Sequence, residues 1–126
     1  MLGLASMIAA PVALAASFDC SARPLTQAEM TICNDPQLAR MEEHLTRRLN
    51  SVATRLNFGQ YLGLRHWATV WAKERGECES DRDCIAANLR AQGRFLDRFQ
   101  RCLTGSLARR GCLRDMLAGE QESMRR

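Results

Sequence analysis

Residues 80–103 read SDRDCIAANLRAQGRFLDRFQRCL, and this stretch decides the fold. Six of its residues recur at alternating spacings of four and three, namely Ile85, Leu89, Gln92, Leu96, Phe99 and Leu103. Because an α-helix turns by about 100° per residue, these positions share one face, and four arginines fall on the opposite face: Arg90, Arg94, Arg98 and Arg101. Ser80 and Asp83 form the pattern Ser-x-x-Asp, which is typical of a helix start. The stretch therefore predicts a long amphipathic helix.

Two more long helices are predicted before this segment. Asp35 followed by Pro36 favours a helix start, because Asp caps well and Pro is tolerated at the first helical position. An apolar stripe then runs through Leu38, Met41, Leu45, Leu49, Val52 and Leu56. Asn57-Phe58-Gly59 predicts a break, and the next helix is expected from about Gln60 to Cys78. Its stripe comprises Tyr61, Leu64, Ala68, Trp71, Arg75 and Cys78, with Trp67 at the flank.

Short helices are expected on either side of these three. Thr26 and Glu29 form a capping box, which predicts a helix that ends near Cys33. Ser106 is expected to cap a last short helix, followed by a flexible tail over residues 119–126. No alternating strand pattern occurs. The predicted fold is all-α: a small antiparallel bundle of three long helices and short terminal helices, in one domain over residues 17–118.

The start of the chain has the composition of an export signal. Residues 1–16 carry no charged side chain, run apolar from Leu2 to Leu14 and place small residues at Ala13, Ala15 and Ala16. The apolar run is shorter than the roughly 20 residues that span a bilayer. We expect cleavage near Ala15 or Ala16 and a periplasmic or secreted protein.

All six cysteines follow this segment: Cys20, Cys33, Cys78, Cys84, Cys102 and Cys112. An even count in a short exported chain predicts disulfides. The Cys-x2-Cys pattern that is typical of zinc sites does not occur, so no metal site is expected. Local bridges would join Cys20–Cys33, Cys78–Cys84 and Cys102–Cys112. The main rival pairing joins Cys20–Cys84 and Cys33–Cys78. It is possible because the helix ends that carry Cys33, Cys78 and Cys84 should meet at one pole of the bundle. The local set is preferred, because each pair flanks one helix junction or short helix.

The charge is unevenly distributed along the chain. The formal net charge is +4, and residues 82–126 carry ten basic and five acidic side chains. One interpretation is a solvated arginine-rich face. The other is attraction to an anionic surface, for which we expect a cell-wall polymer or lipid headgroups and not nucleic acid.

The sequence gives no pattern for catalysis. It contains no nucleophile elbow, phosphate-binding glycine loop or His-Glu-x-x-His motif, and His44 and His66 belong to different predicted helices. We therefore expect no enzyme activity and no cofactor. Trp67 and Trp71 lie four residues apart on one side of a helix, which fits either core packing or an aromatic platform for a glycan or protein partner.

Arg75 is the charge that violates its helix pattern. It falls on the apolar stripe of its helix, one turn after Trp71. A buried guanidinium without a partner is strongly destabilising. The candidate acceptors near that pole are Asp35 and Glu29, and Glu29 is the better one. We predict a structural Arg75–Glu29 ion pair.

Three stretches of the sequence resemble the LprI-type lysozyme-inhibitor domain family of small exported bacterial proteins. They are Phe18-Asp19-Cys20, Thr26–Cys33 (TQAEMTIC) and Trp71–Cys78 (WAKERGEC), with Cys84 following. The resemblance spans about residues 18–103. It implies an all-helical envelope protein without a cofactor, and inhibition of lysozyme by a member gives the family its name. The chain departs at Glu42, Leu49 and Ala68, where the family usually has Asp, Tyr and Gln, and it adds Cys102 and Cys112.

These observations lead to two functional hypotheses. The first is an exported binding protein that inhibits lysozyme or engages another envelope protein, with the acidic stretch from Glu74 to Asp83 as its docking edge. The alternative is a structural or surface-interaction protein that holds an anionic envelope component on its arginine-rich helix. The residues expected to contribute to a binding surface are Trp67, Trp71, Glu77, Glu79, Asp81, Arg90, Arg94, Arg98 and Arg101.

Overall fold

The computed structural model describes residues 14–15, 18–22, 24–105 and 111–118. Within these ranges the chain forms α1 (Gln27–Asn34), α2 (Pro36–Ala53), α3 (Phe58–Glu77) and α4 (Arg82–Thr104), and a last helix, α5, covers residues 111–118. Two short strands, β1 (Leu14–Ala15) and β2 (Phe18–Asp19), pair antiparallel ahead of α1. The all-α fold is confirmed, and this strand pair was too short for any sequence pattern to indicate.

The first two helices begin at the predicted caps. The Thr26 hydroxyl accepts from the backbone N–H of Glu29 at 3.1 Å, and the Glu29 carboxylate accepts from the Thr26 N–H at 2.9 Å. Asp35 accepts from the N–H groups of Gln37 and Leu38, and Pro36 occupies the first position of α2. These bonds satisfy backbone donors that have no partner inside the helix.

Two other caps differ from the prediction. α3 begins at Phe58, not near Gln60, because Asn57 and Gln60 form a capping box of their own: the Asn57 side chain accepts from the Gln60 N–H at 2.8 Å. Asp81, not Ser80, caps α4 and accepts from two N–H groups of its first turn. The tight turn before it passes through Glu79, whose φ of 53° lies in the left-handed region.

The long helices form the expected antiparallel arrangement. At one pole Arg82 at the start of α4 donates to Asp35 at the start of α2, and further along Arg48 of α2 donates to Asp97 and Gln100 of α4. α2 and α4 therefore run in the same direction. α3 runs the opposite way, since Arg75 near its end meets Glu42 near the start of α2.

The core is divided into two clusters along the bundle. One is built from α1, from α2 as far as Leu45 and from α4 as far as Leu96, and the other from the end of α2, from α3, from α4 between Phe95 and Cys102 and from α5. The predicted face of α4 is buried at Ile85, Leu89, Leu96 and Phe99, whereas Gln92 and Leu103 are half-buried. The predicted stripe of α3 was wrong at its centre, because Trp67 is 3% exposed and belongs to the core, not the flank.

Three disulfides join the helices locally. They are Cys20–Cys33, Cys78–Cys84 and Cys102–Cys112, with Cα–Cα distances of 5.8, 5.6 and 5.6 Å. None of the six cysteines is free. The local set is confirmed, and the rival pairing of Cys20 with Cys84 is wrong. Such a framework is typical of an oxidising compartment outside the cytoplasm.

Some sequence predictions lie outside the described residues. They are most of the export segment over residues 1–16, the cap at Ser106 and the tail over residues 119–126. Of the segment 1–16, the structure describes Leu14 and Ala15, as strand β1. Among the described helices, none is long and apolar enough to cross a bilayer.

Candidate functional site

A shallow groove runs between α3 and the arginine face of α4. Its volume is about 570 Å³, and its walls are Trp71, Ala91, Arg94, Asp97, Arg98 and Arg101. All three arginines are exposed. Asp97 is engaged by Arg48 at 2.5 Å, whereas the guanidinium groups of the three groove arginines form no ion pair or hydrogen bond with another described residue. We call this the arginine groove. Arg90 is also exposed but does not line it.

The two tryptophans play different parts in this region. Trp71 is half-buried and lines the arginine groove, whereas Trp67 is buried and cannot form part of a surface platform. Their ring centroids lie 6.0 Å apart, and Phe95 of α4 lies 5.3 Å from Trp67 and 6.4 Å from Trp71. The core interpretation therefore holds for Trp67, and only Trp71 is available to a groove ligand.

The predicted acidic residues lie at the pole, apart from the groove. Glu77, Glu79 and Asp81 are all exposed in the turn from α3 to α4, which the Cys78–Cys84 bridge closes. We call this the acidic turn. Arg82, the first residue of α4, donates to Asp35, the cap of α2, and to Gln37. The predicted binding residues thus form two separate surfaces of opposite charge and not one.

Arg75 is buried, as predicted, but its partner was predicted wrongly. Its guanidinium donates to the Glu42 carboxylate at 2.9 Å, and the two side chains are 7% and 4% exposed. Glu29 instead uses its carboxylate in the capping box of α1. The ring of Phe18 lies 5.8 Å from the Arg75 guanidinium carbon and adds a cation–π contact.

Glu42 is the site residue that sequence reasoning missed, although a signal for it existed. Leu38, Glu42, Leu45, Leu49, Val52 and Leu56 follow spacings of four, three, four, three and four, the same alternation that defines α4. Glu42 therefore lies on the buried face of α2, whereas Met41, which the apolar pattern predicts there, is half-buried.

A small space lies beside this ion pair, between α2, α3 and α4. We call it the central cavity. Its volume is about 60 Å³, its walls are mostly apolar, and Trp67, Trp71, Glu42 and Arg75 all line it. Both indole N–H groups are inaccessible to solvent and have no acceptor among the described residues. A buried donor without a partner costs about 1–3 kcal/mol, so two side by side call for a physical reason.

The described residues offer little for acid–base or metal chemistry. His44 and His66 are both exposed on different helices. Within the described ranges no three His, Cys, Asp or Glu side chains are placed to hold a metal ion. The chemistry that the geometry does offer is recognition: exposed guanidinium groups beside a tryptophan, and carboxylates on a closed turn.

Comparisons of the chain with models of protein families, with curated proteins and with solved structures found no match. The resemblance to the LprI-type family stays a prediction that these comparisons do not test.

Proposed function

We propose that this chain is an exported binding protein of the bacterial envelope that acts without catalysis. We propose further that it holds an anionic envelope component, a cell-wall polymer or a lipid surface, in the arginine groove. The observation that carries the proposal is the set of three exposed guanidinium groups beside Trp71, none paired with a described residue. The apolar segment over residues 1–16 supports export through a signal cleaved near Ala15 or Ala16.

The spacing of the arginines suits a ligand with repeated anionic groups. Arg94, Arg98 and Arg101 lie on successive turns of α4, and the rise of about 1.5 Å per residue spreads them over about 10 Å. Each guanidinium can donate two parallel hydrogen bonds to a phosphate or carboxylate, an arrangement that a lysine cannot reproduce. The half-buried Trp71 adds an aromatic wall against which the rest of the ligand can pack.

Co-sedimentation tests this proposal in two arms, one with purified cell-wall sacculi and one with anionic lipid vesicles. The test variant carries Arg94→Gln, Arg98→Gln and Arg101→Gln. A matched control carries Arg40→Gln, Arg55→Gln and Arg65→Gln, which removes three exposed arginines elsewhere. We expect binding to one of the two materials, weakened by salt, since exposed charges are screened within about 10 Å at 0.1 M salt.

The groove variant should bind at least about tenfold more weakly, because a hydrogen bond to a charged group contributes about 1.5–3 kcal/mol. The control variant should lose much less. Equal losses in the two variants would show that net charge, and not the groove, attracts the ligand. Binding that salt does not change, or no binding to either material, would refute the proposal.

A second candidate function, lysozyme inhibition, is favoured by the acidic turn. The Cys78–Cys84 bridge closes this turn, and Glu77 and Glu79 project from it into solvent. A preorganised loop loses little entropy on binding, and its carboxylates complement the basic surface that many lysozymes carry. The family resemblance points to the same target.

Turbidity assays of cell-wall lysis, with several lysozyme types, test this candidate. The purified protein should slow lysis, and Glu77→Gln with Glu79→Gln should reduce the effect. The control pair Glu43→Gln with Asp115→Asn makes the same change of charge on other helices and should leave it intact. No slowing at large molar excess would remove lysozyme as the target without touching the proposal for the arginine groove.

A further inference from the structure

The central cavity has properties that packing alone does not require. Apolar side chains from all three long helices form most of its wall, including Leu49, Leu64 and Phe95. At about 60 Å³ it has room for about four to six water-sized groups, when each occupies about 10–15 Å³. Cores are normally packed without voids of this size.

Two hydrogen-bond donors of the residues that line the cavity have no acceptor within the described part of the chain. The indole N–H groups of Trp67 and Trp71 are donors only, and neither finds an acceptor among the described residues. Trp67 is 3% exposed, and its N–H is itself inaccessible to solvent. Two residues that line the cavity thus carry buried donors that lack an oxygen acceptor among the described residues.

The charges in the wall compensate one another. Arg75 and Glu42 form a buried ion pair at 2.9 Å, so the cavity carries no net charge from them. An ionic guest would have to leave water for a space without an opposing charge, which is costly. The wall therefore favours a neutral guest.

We propose that the central cavity is a binding site for a small neutral molecule, mostly apolar, that carries a carbonyl or hydroxyl oxygen. The oxygen accepts from the indole N–H groups of Trp67 and Trp71, and the apolar part packs against the leucine and phenylalanine wall. The arginine groove shares Trp71 with this cavity but selects for charge through its arginines, so the two sites take ligands of different chemistry.

Nuclear magnetic resonance of the isotope-labelled, disulfide-bonded protein tests the site directly, since the chain has two tryptophans and gives two indole N–H signals. The probes are butanone and its alkene isostere, in which a methylene group replaces the carbonyl oxygen. Butanone should shift both indole signals saturably, in the direction of a formed hydrogen bond. The alkene should bind at least about twofold more weakly, since it cannot accept a hydrogen bond.

Three variants locate the effect. Ala68→Leu extends a side chain of the cavity wall and should abolish the shifts, whereas Ala72→Leu, one turn further on at an exposed position of α3, should leave them unchanged. Trp67→Phe keeps a ring but removes one donor, and it should weaken butanone about two- to tenfold while the alkene is unaffected.

Three outcomes would overturn the proposal. They are an absence of saturable shifts in the wild-type protein, equal affinity for the two probes, or unchanged binding in Ala68→Leu with its fold intact. Magnetisation transfer from a long-lived water to both indole protons, undisturbed by butanone, would instead identify the cavity as a structural hydration site.

Discussion

The guanidinium of Arg75 on α3 donates a 2.9 Å hydrogen bond to the carboxylate of Glu42 on α2, and both side chains are more than nine-tenths buried. The pair joins the end of one helix to the start of another across the core. Removal of one partner leaves a charge buried without compensation, which typically costs about 3–5 kcal/mol. Arg75→Met and Glu42→Gln should each reduce the free energy of unfolding by about this amount, measured by urea denaturation with the disulfides intact.

Double-mutant cycles identify the partner. Glu42→Leu combined with Arg75→Met should recover most of the loss, because an apolar pair replaces a buried ion pair at little net cost. The cycle of Arg75→Met with Glu29→Gln should be additive, since Glu29 is occupied by the cap of α1. If the losses of unfolding free energy were additive in the cycle with Glu42 and coupled in the cycle with Glu29, the partner of Arg75 would be Glu29 and not Glu42.

Tryptic digestion without reduction should reveal the local disulfides. Trypsin cleaves after Arg82, inside the loop that Cys78–Cys84 closes, so the fragments 76–82 and 83–90 should stay joined to each other alone. The fragment with Cys102 should stay joined to the one with Cys112. Mass spectrometry before and after reduction measures both species.

The rival connectivity gives a different product. Cys20 and Cys33 share one tryptic fragment, because the Arg23–Pro24 bond resists trypsin, so the rival would join that fragment to both 76–82 and 83–90. Detection of this three-part species, or of alkylated cysteine in protein isolated without reductant, would contradict the framework.

The two faces of α4 should respond oppositely to truncation. Leu96 is 4% exposed, and Leu96→Ala should lower the free energy of unfolding by about 2–5 kcal/mol, as other buried leucine truncations do. Arg94 is exposed in the arginine groove, and Arg94→Ala should change stability by about 0.5 kcal/mol or less. Thermal and urea unfolding compare the variants, and similar losses at both positions would contradict the orientation of the helix.

The pole of the bundle should weaken in acid through Asp35. The backbone N–H of Leu38 and then the Arg82 side chain hold the pKa of this carboxyl below its ordinary value. A lowered folded-state pKa stabilises the protein above the ordinary pKa, and the contribution is lost as the pH falls through the ordinary value to the lowered one. Asp35→Asn should therefore be less stable than the wild type near neutral pH and approach it in acid.

Unfolding of both proteins at a series of pH values below neutrality measures this difference. Asp83→Asn is the matched control, because the Asp83 side chain is 97% exposed. Its carboxylate makes only a long contact, of 3.9 Å, with the Arg82 guanidinium. Its difference from the wild type should stay small throughout. A gap between wild type and Asp35→Asn that does not narrow in acid would show that the carboxylate charge is not what stabilises the pole.

Local structure was predictable because it depends on residues that are close in the sequence. The caps at Thr26 and Asp35 join side chains to backbone groups two or three residues away, and the stripe of α4 places Leu89 and Leu96 inside. The three bridges span separations of 13, 6 and 10 residues, so their closure needs little knowledge of the rest of the chain. The prediction of Ser80 as the cap of α4 was wrong, because the choice between Ser80 and Asp81 depends on the backbone conformation of Glu79.

The sequence by itself determined the helices, most of their apolar and polar faces, and the local disulfides. Helical periodicity, capping and the closure of short loops all depend on residues that are close together in the chain. Only the tertiary structure decided that Arg75 meets Glu42, that Trp67 lies inside while Trp71 borders a groove, and that a cavity remains beside them. Those relationships depend on how far each helix rotates about its axis and where it crosses its neighbours. Packing of all the side chains together sets both, so no single stretch of sequence specifies them.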